Sequence, residues 1–184
     1  MSDYRRANFE GGYYFFTVVT FKRAKFLADK LSRDCLRFAL SKVKETRPFE
    51  NIAMCLLPDH LHCVWKLPDG DADFSTRWNS VKSLFTKMYL NSGGHEGQRN
   101  ISRKRTGEAA VWQRRFWEHQ IRDEKDLQRH IDYIHYNPVK HGLVKDIENW
   151  QWSTYHKFVQ NGFYGKVNFN DIMQSSENVT CAGE

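Results

Sequence analysis

His60 and His62 stand one leucine apart in the stretch LLPDHLHCVWKLP, residues 56–68. The stretch alternates. Leu61, Cys63, Trp65 and Leu67 fall on one side, and His60, His62, Val64 and Lys66 on the other. Period-two alternation predicts a strand with its apolar row in the core, so both imidazoles project from the opposite face. Two neutral imidazoles on a rigid strand form a partial site for a divalent metal. A pair of solvent-facing histidines on a half-exposed sheet is the other reading, and a metal site needs a third ligand from elsewhere in the chain.

A helix in the segment 123–142, DEKDLQRHIDYIHYNPVKHG, supplies candidates. Leu127, Ile131 and Ile134 recur at i, i+4, i+7 and predict a buried stripe. Tyr133 and Asn137 lie four apart on one flank of that stripe, with Asp126 and His130 on the same flank. Tyr136 points almost opposite the stripe, toward solvent. If this helix packs beside the histidines, the Asn137 carboxamide oxygen becomes a third ligand and Tyr133 stands about one turn away. Pro138 disfavours helical geometry at Asn137 and predicts an end or kink there. The alternatives are a half-buried tyrosine at a sheet edge and an asparagine that caps the helix.

The remaining pattern must position these groups. Tyr13–Phe21 is dense in aromatic and β-branched residues and predicts a central strand. A helix follows over Asp29–Arg47, with Leu31, Cys35, Phe38 and Ala39 on its inner face. Phe49–Leu57 and Leu61–Leu67 read as strands, with Pro58-Asp59 as a tight turn and His60 opening the second. Ser75–Leu90 is a helix with Trp78, Val81, Phe85 and Met88 on one stripe. Asn91–Ala110 is glycine-rich and basic and reads as a flexible loop, which either clamps a phosphate backbone or is a neutral insertion. Val111–Ile121 is a strand-like basic-aromatic segment, Glu124–Tyr136 the third helix, and Trp150 and Trp152 belong to a closing segment. The expected organisation is a single domain over residues 1–173 and a disordered tail over 174–184. The order strand–helix–strand–strand–helix–strand predicts an α+β, ferredoxin-like (RRM-like) antiparallel sheet, with helices on one face and the His pair on the other, available face.

The chain has 184 residues and a formal net charge of +6, with basic and aromatic residues interleaved, a balance suited to nucleic acid. No long apolar run or signal peptide is present, so a membrane partner is not expected. Cys35, Cys55, Cys63 and Cys181 form no Cys-x-x-Cys pair, and Cys63 faces away from the histidines, which argues against a zinc knuckle and for reduced thiols in the cytosol. Arg5, Arg6, Arg114, Arg115, Arg122 and the Arg103–Arg105 cluster are candidate phosphate contacts. Trp112, Phe116 and Trp117 stack on bases or belong to the core.

His60-Leu61-His62 matches the His-hydrophobic-His motif of HUH endonucleases, and HIDYIHYNPVKHGLV, residues 130–144, resembles the tyrosine helix of single-tyrosine transposases. The phrases YRRANFEGGYYFFTV, KETRPFE, LPDHLHCVWKLPDGDADFSTRW, WQRRFWEHQIRDEKD and NPVKHGLV, in this order between about Tyr4 and Tyr164, resemble the REP-associated tyrosine transposases of bacteria. The resemblance implies the HUH single-tyrosine transposase fold. It also implies a metal-dependent endonuclease and strand transferase that acts on single-stranded REP-type DNA hairpins through a 5′-phosphotyrosine intermediate. By motif it makes His60 and His62 metal ligands, Tyr133 the nucleophile and Asn137 the third ligand. Insertion-sequence cousins place a glutamine where Asn137 stands, so a bridging water is an alternative to direct ligation. The expected cofactor is Mg²⁺ or Mn²⁺, the expected state a monomer, and the expected location the bacterial cytoplasm at the nucleoid. His130 is a candidate for proton transfer. A noncatalytic nucleic-acid-binding module on the same sheet is the competing reading. A hydrolase of small phosphate esters is a weaker one, since no carboxylate cluster accompanies the histidines.

Overall fold

A computed structural model describes residues 10–164 and Val179. Arg5, Arg6, Cys181 and the rest of the 174–184 tail apart from Val179 lie outside the described residues. The strands are β1 (Tyr13–Val19), β2 (Glu50–Leu56), β3 (His60–Lys66) and β4 (Trp117–Gln120). They form one four-stranded sheet in the order β2-β3-β1-β4, antiparallel throughout. The helices are α1 (Lys30–Thr46), α2 (Phe74–Asn91), α3 (Ile101–Thr106), α4 (Glu124–Lys140) and α5 (Tyr155–Gln160). This is the ferredoxin-like order expected from the sequence, with α3 inserted before β4 and with α4 and α5 following it. No helix among the described residues is long and apolar enough to cross a membrane.

Strand alternation splits the core in two. Tyr14, Phe16 and Val18 of β1 join Leu61, Cys63 and Trp65 of β3 in a cluster covered by α1 and α2. Phe15 and Val64 join Ala53 and Cys55 in a second cluster on the other face, where Ile131, Tyr133 and Ile134 of α4 pack. The face holding the His pair is therefore not open. α4 covers it, and His60 and His62 are fully buried. The α1 stripe also differs from expectation. Cys35, Leu36, Ala39 and Val43 are buried, whereas Phe38 is 41% exposed. In α2, Tyr89 takes the core position expected for Met88.

α4 runs past Pro138 to Lys140, three residues beyond Asn137. Proline removes only one amide there, near the helix end, and His141 N–H caps back onto Asn137 O at 3.0 Å. The back of α4 is covered as well. His135 Nδ1 meets the Tyr164 hydroxyl at 2.8 Å, and that hydroxyl donates to Asp132 Oδ1 at 2.9 Å. Tyr136 is half-buried against this layer rather than solvent-facing. Trp150 Nε1 donates to Leu56 O, and Leu56 N–H donates to Trp152 O, so the closing segment shields the β2 edge.

The segment 91–110, read from sequence as a loop, contains α3. Asn100 caps its first turn by accepting from Arg103 N–H, and Gly107, at φ 69°, ends it in the left-handed region that suits glycine. Arg103 is buried. It donates to Ala109 O and Trp112 O and lies over the Phe21 ring. Only a short stretch of Val111–Ile121, β4, is a strand, joined by an isolated bridge between Thr20 and Trp112.

Candidate active site

β1 and β3 set the floor of the site. Their register places Thr17 opposite His62 and Val19 opposite His60, and residues opposite each other in an antiparallel pair share a face. The rings of His60 and His62 lie 4.8 Å apart. Each Nδ1 has a fixed neighbour. His60 Nδ1 donates to Asp59 Oδ1 at 2.6 Å, and His62 Nδ1 sits 2.9 Å from Thr17 Oγ1. A proton held at Nδ1 leaves the lone pair on Nε2, the tautomer a metal requires. Burial raises the Asp59 pKa, but hydrogen bonds from His60 and Arg23 outweigh it and hold the carboxyl well below the usual range. Asp59 thus places a hydrogen-bonded carboxylate behind His60.

α4 forms the roof and crosses the sheet so that successive turns meet successive strands. Asp126 reaches His119 of β4 at 2.9 Å. His130 packs on Phe15 of β1, with ring centroids 4.9 Å apart. Tyr133 meets both Phe15, at 5.9 Å, and His62 of β3, at 5.3 Å. His141, which caps the helix, lies 5.2 Å from His60. Asn137 falls one turn after Tyr133 and one turn before His141, so its buried carboxamide lies on the stretch of helix that spans the two imidazoles. Tyr133, on the helix flank read from the sequence, meets the His62 ring.

His60, His62 and Tyr133 are thus linked by successive ring contacts, and Asn137 lies buried one turn further along the same helix. The donor chemistry fits a divalent cation: imidazoles with an amide oxygen suit Mn²⁺ and admit Mg²⁺. His141 was not singled out by sequence reasoning, although it lies four residues beyond Asn137, on the same flank. Lys140 was missed too: its Nζ donates to the Tyr133 hydroxyl at 3.2 Å and stands 4.7 Å over its ring.

A second group of possible ligands, His119, Asp126 and His130, lies at the other end of that flank. Its geometry favours a hydrogen-bonded network. The two imidazoles are stacked 4.6 Å apart at 14°, so their in-plane lone pairs run side by side rather than toward a common point. Asp126 Oδ2 accepts from His119 and from Arg122 N–H. Burial raises the Asp126 pKa, but hydrogen bonds from His119 and Arg122 hold it down at about 2. Burial is also the main force that lowers the pKa of His130, whose Nδ1 donates to Asp126 O at 2.8 Å. This network pins the first turns of α4 to β4.

The basic candidates divide. Arg103 is structural, since its guanidinium is spent on backbone carbonyls and Glu108. Arg114 is exposed but engaged by Glu108 at 2.6 Å. Arg115, Lys104 and Arg105 are exposed, and Arg122 is exposed beside Asp126. Trp112 is in the core, and Phe116 and Trp117 are half-buried against the two clusters.

Residues 8–137 match the family described as Transposase IS200 like. The chain is 46% identical over 165 residues to the REP-associated tyrosine transposase of Escherichia coli (strain K12), a match that covers 89% of this chain and 88% of that one. It is 43% identical over 165 residues to a putative REP-associated tyrosine transposase of Haemophilus influenzae, covering 89% and 91%. Among solved structures it is similar to that of a REP-associated tyrosine transposase bound to a REP hairpin, at a TM-score of 0.73 and 43% identity over 90% of this chain and 89% of the other.

Proposed function

The chain belongs to the IS200-like transposases and, among them, to the REP-associated tyrosine transposases, and on that footing we propose that it cleaves and rejoins single-stranded DNA at REP-type hairpins through a 5′-phosphotyrosine. The observation that carries the reading is the approach of the Tyr133 ring to within 5.3 Å of the His62 ring, on a helix that also delivers Asn137. A relative bound to a REP hairpin supports the substrate class.

His60, His62 and Asn137 would hold the cation, with His141 as a further imidazole at its edge. Asp59 and Thr17 orient the two ligand rings. Bound there, a divalent ion withdraws charge from a non-bridging phosphate oxygen. Mn²⁺ and Mg²⁺ are the ions this donor set admits.

Tyr133 attacks phosphorus. Its oxygen forms the new bond as the bond to the 3′ oxygen breaks, which leaves a 5′-phosphotyrosine and a free 3′-hydroxyl. Because the phosphodiester is exchanged for another ester, the strand can be rejoined to a second 3′-hydroxyl. Phe15 packs on His62 at 5.5 Å as well as on Tyr133, and so holds nucleophile and ligand in one relation. Exposed Arg115, Arg122, Lys104 and Arg105, with Arg5 and Arg6, neutralise phosphates along the strand. α4 returns to its own sheet, so one chain supplies ligands and tyrosine together, in keeping with a monomer.

An end-labelled REP-type hairpin incubated with the protein and Mn²⁺ tests the reading. It predicts strand scission that requires the cation. Tight binding without scission under any divalent ion would leave a hairpin-binding module instead.

A further inference from the structure

Tyr133 is buried, yet its hydroxyl meets a cation. Lys140 lies seven residues, two turns, further along α4 on the same flank. Its Nζ donates to the Tyr133 oxygen at 3.2 Å and stands 4.7 Å from the ring centroid, while the residue as a whole remains exposed. An exposed lysine thus places its ammonium directly on the buried tyrosine oxygen.

A phenol has a reference pKa of about 10, so at neutral pH it is a poor nucleophile without help. A metal among His60, His62 and Asn137 acts on the phosphate, which leaves the phenol oxygen itself to be served by another group. His130, the other candidate on this flank, has its Nδ1 on Asp126 O and is stacked against His119, with Phe15 packed against both His130 and Tyr133.

We propose that Lys140 is a catalytic residue of the cleavage step, its ammonium stabilising the anionic Tyr133 oxygen during attack. The inference rests on the reading of Tyr133 as the nucleophile. The proton balance is simple. The phenolic proton passes to water, the oxygen lone pair forms the bond to phosphorus, and the departing 3′ oxygen takes a proton from water. Lys140 keeps its own proton throughout. In the rejoining direction the same ammonium stabilises the tyrosine oxygen as it leaves. A compact, mobile cation can follow that oxygen between the two positions.

The test uses the full chain, a REP-type hairpin oligonucleotide and Mn²⁺, with single-turnover cleavage and DNA affinity measured separately. Loss of a preorganised donor in a closed site costs about 10²–10³ in rate, and the exposure of Lys140 reduces that to about 10–100-fold for Lys140→Met. Affinity for the hairpin should stay within about twofold, and Lys140→Arg should restore most of the rate. Lys140→Gln serves as a second variant should Lys140→Met fold poorly. Cleavage within about threefold of the parent, or a rate loss matched by an equal loss of affinity, overturns the proposal. Tyr133→Phe in parallel separates the two failures. If that variant is inactive while Lys140→Met cleaves within about threefold of the parent, the nucleophile stands and the lysine role falls. If it still forms a DNA adduct, the nucleophile reading falls and takes the lysine role with it.

Discussion

Thr17 and His62 face each other across the β1–β3 ladder, and the Thr17 hydroxyl lies 2.9 Å from His62 Nδ1. One cross-strand pair therefore engages the Nδ1 side of the His62 ring beneath the tyrosine helix. Thr17→Val preserves shape and removes the hydroxyl. It should lower Mn²⁺ affinity by about 10–100-fold, the usual cost of losing a partner behind a ligand. Isothermal titration measures it. An unchanged affinity would mean that packing alone orients His62.

Asp126 ties β4 to α4 through His119, Arg122 N–H and His130. Asp126→Ala leaves buried donors unsatisfied and should cost about 1–3 kcal/mol in chemical unfolding. The His119–His130 stack should loosen with it, and adduct yield should fall even at saturating metal, because the start of the helix that carries Tyr133 is no longer pinned. Equal stability and equal yield would remove Asp126 from the positioning of α4.

His135 fixes the other side of α4. Burial drives its pKa from about 6.5 down to about 3, so it is neutral in the folded protein. The unfolded state binds the extra proton between those values. Stability is therefore complete above pH ~6.5 and falls as the pH is lowered toward ~3, at up to about 1.4 kcal/mol per pH unit. His135→Gln should lower stability at pH 7 and flatten this pH dependence. An equally steep loss in the variant would assign the acid lability to other groups.

Charge on the surface and charge in the core should behave differently. Arg115→Ala, or the paired change Lys104→Ala and Arg105→Ala, should weaken hairpin binding and reduce the salt slope by about 0.7–0.9 for each phosphate no longer neutralised. Arg103→Ala should instead lower thermal stability, since its guanidinium holds Ala109 O and Trp112 O. Salt titrations by fluorescence anisotropy and melting curves distinguish the two. A salt slope that Arg103→Ala alone alters would reverse the assignment.

Much of this site was legible in residue spacing. The alternation around His60 and His62 gave the strand and its face, and the four-residue step from Tyr133 to Asn137 gave the helix flank that meets it. What spacing could not show is that α4 covers the imidazoles, because a face is open or closed according to which element packs there. His141 and Lys140 escaped for a related reason: Pro138 suggested an early helix end, and both depend on the helix running through it. Arg103 looked like its neighbours in a basic stretch. Only the carbonyls gathered around it by the turn after α3 make it a core residue.

Tyr133, carried by α4 to the His pair, is proposed as the residue that joins to DNA. A REP-type hairpin incubated with Mn²⁺ and resolved on a denaturing protein gel measures this directly. The account predicts a covalent adduct with the parent chain and with Tyr136→Phe, and none with Tyr133→Phe. An adduct that persists in Tyr133→Phe and disappears in Tyr136→Phe would contradict it.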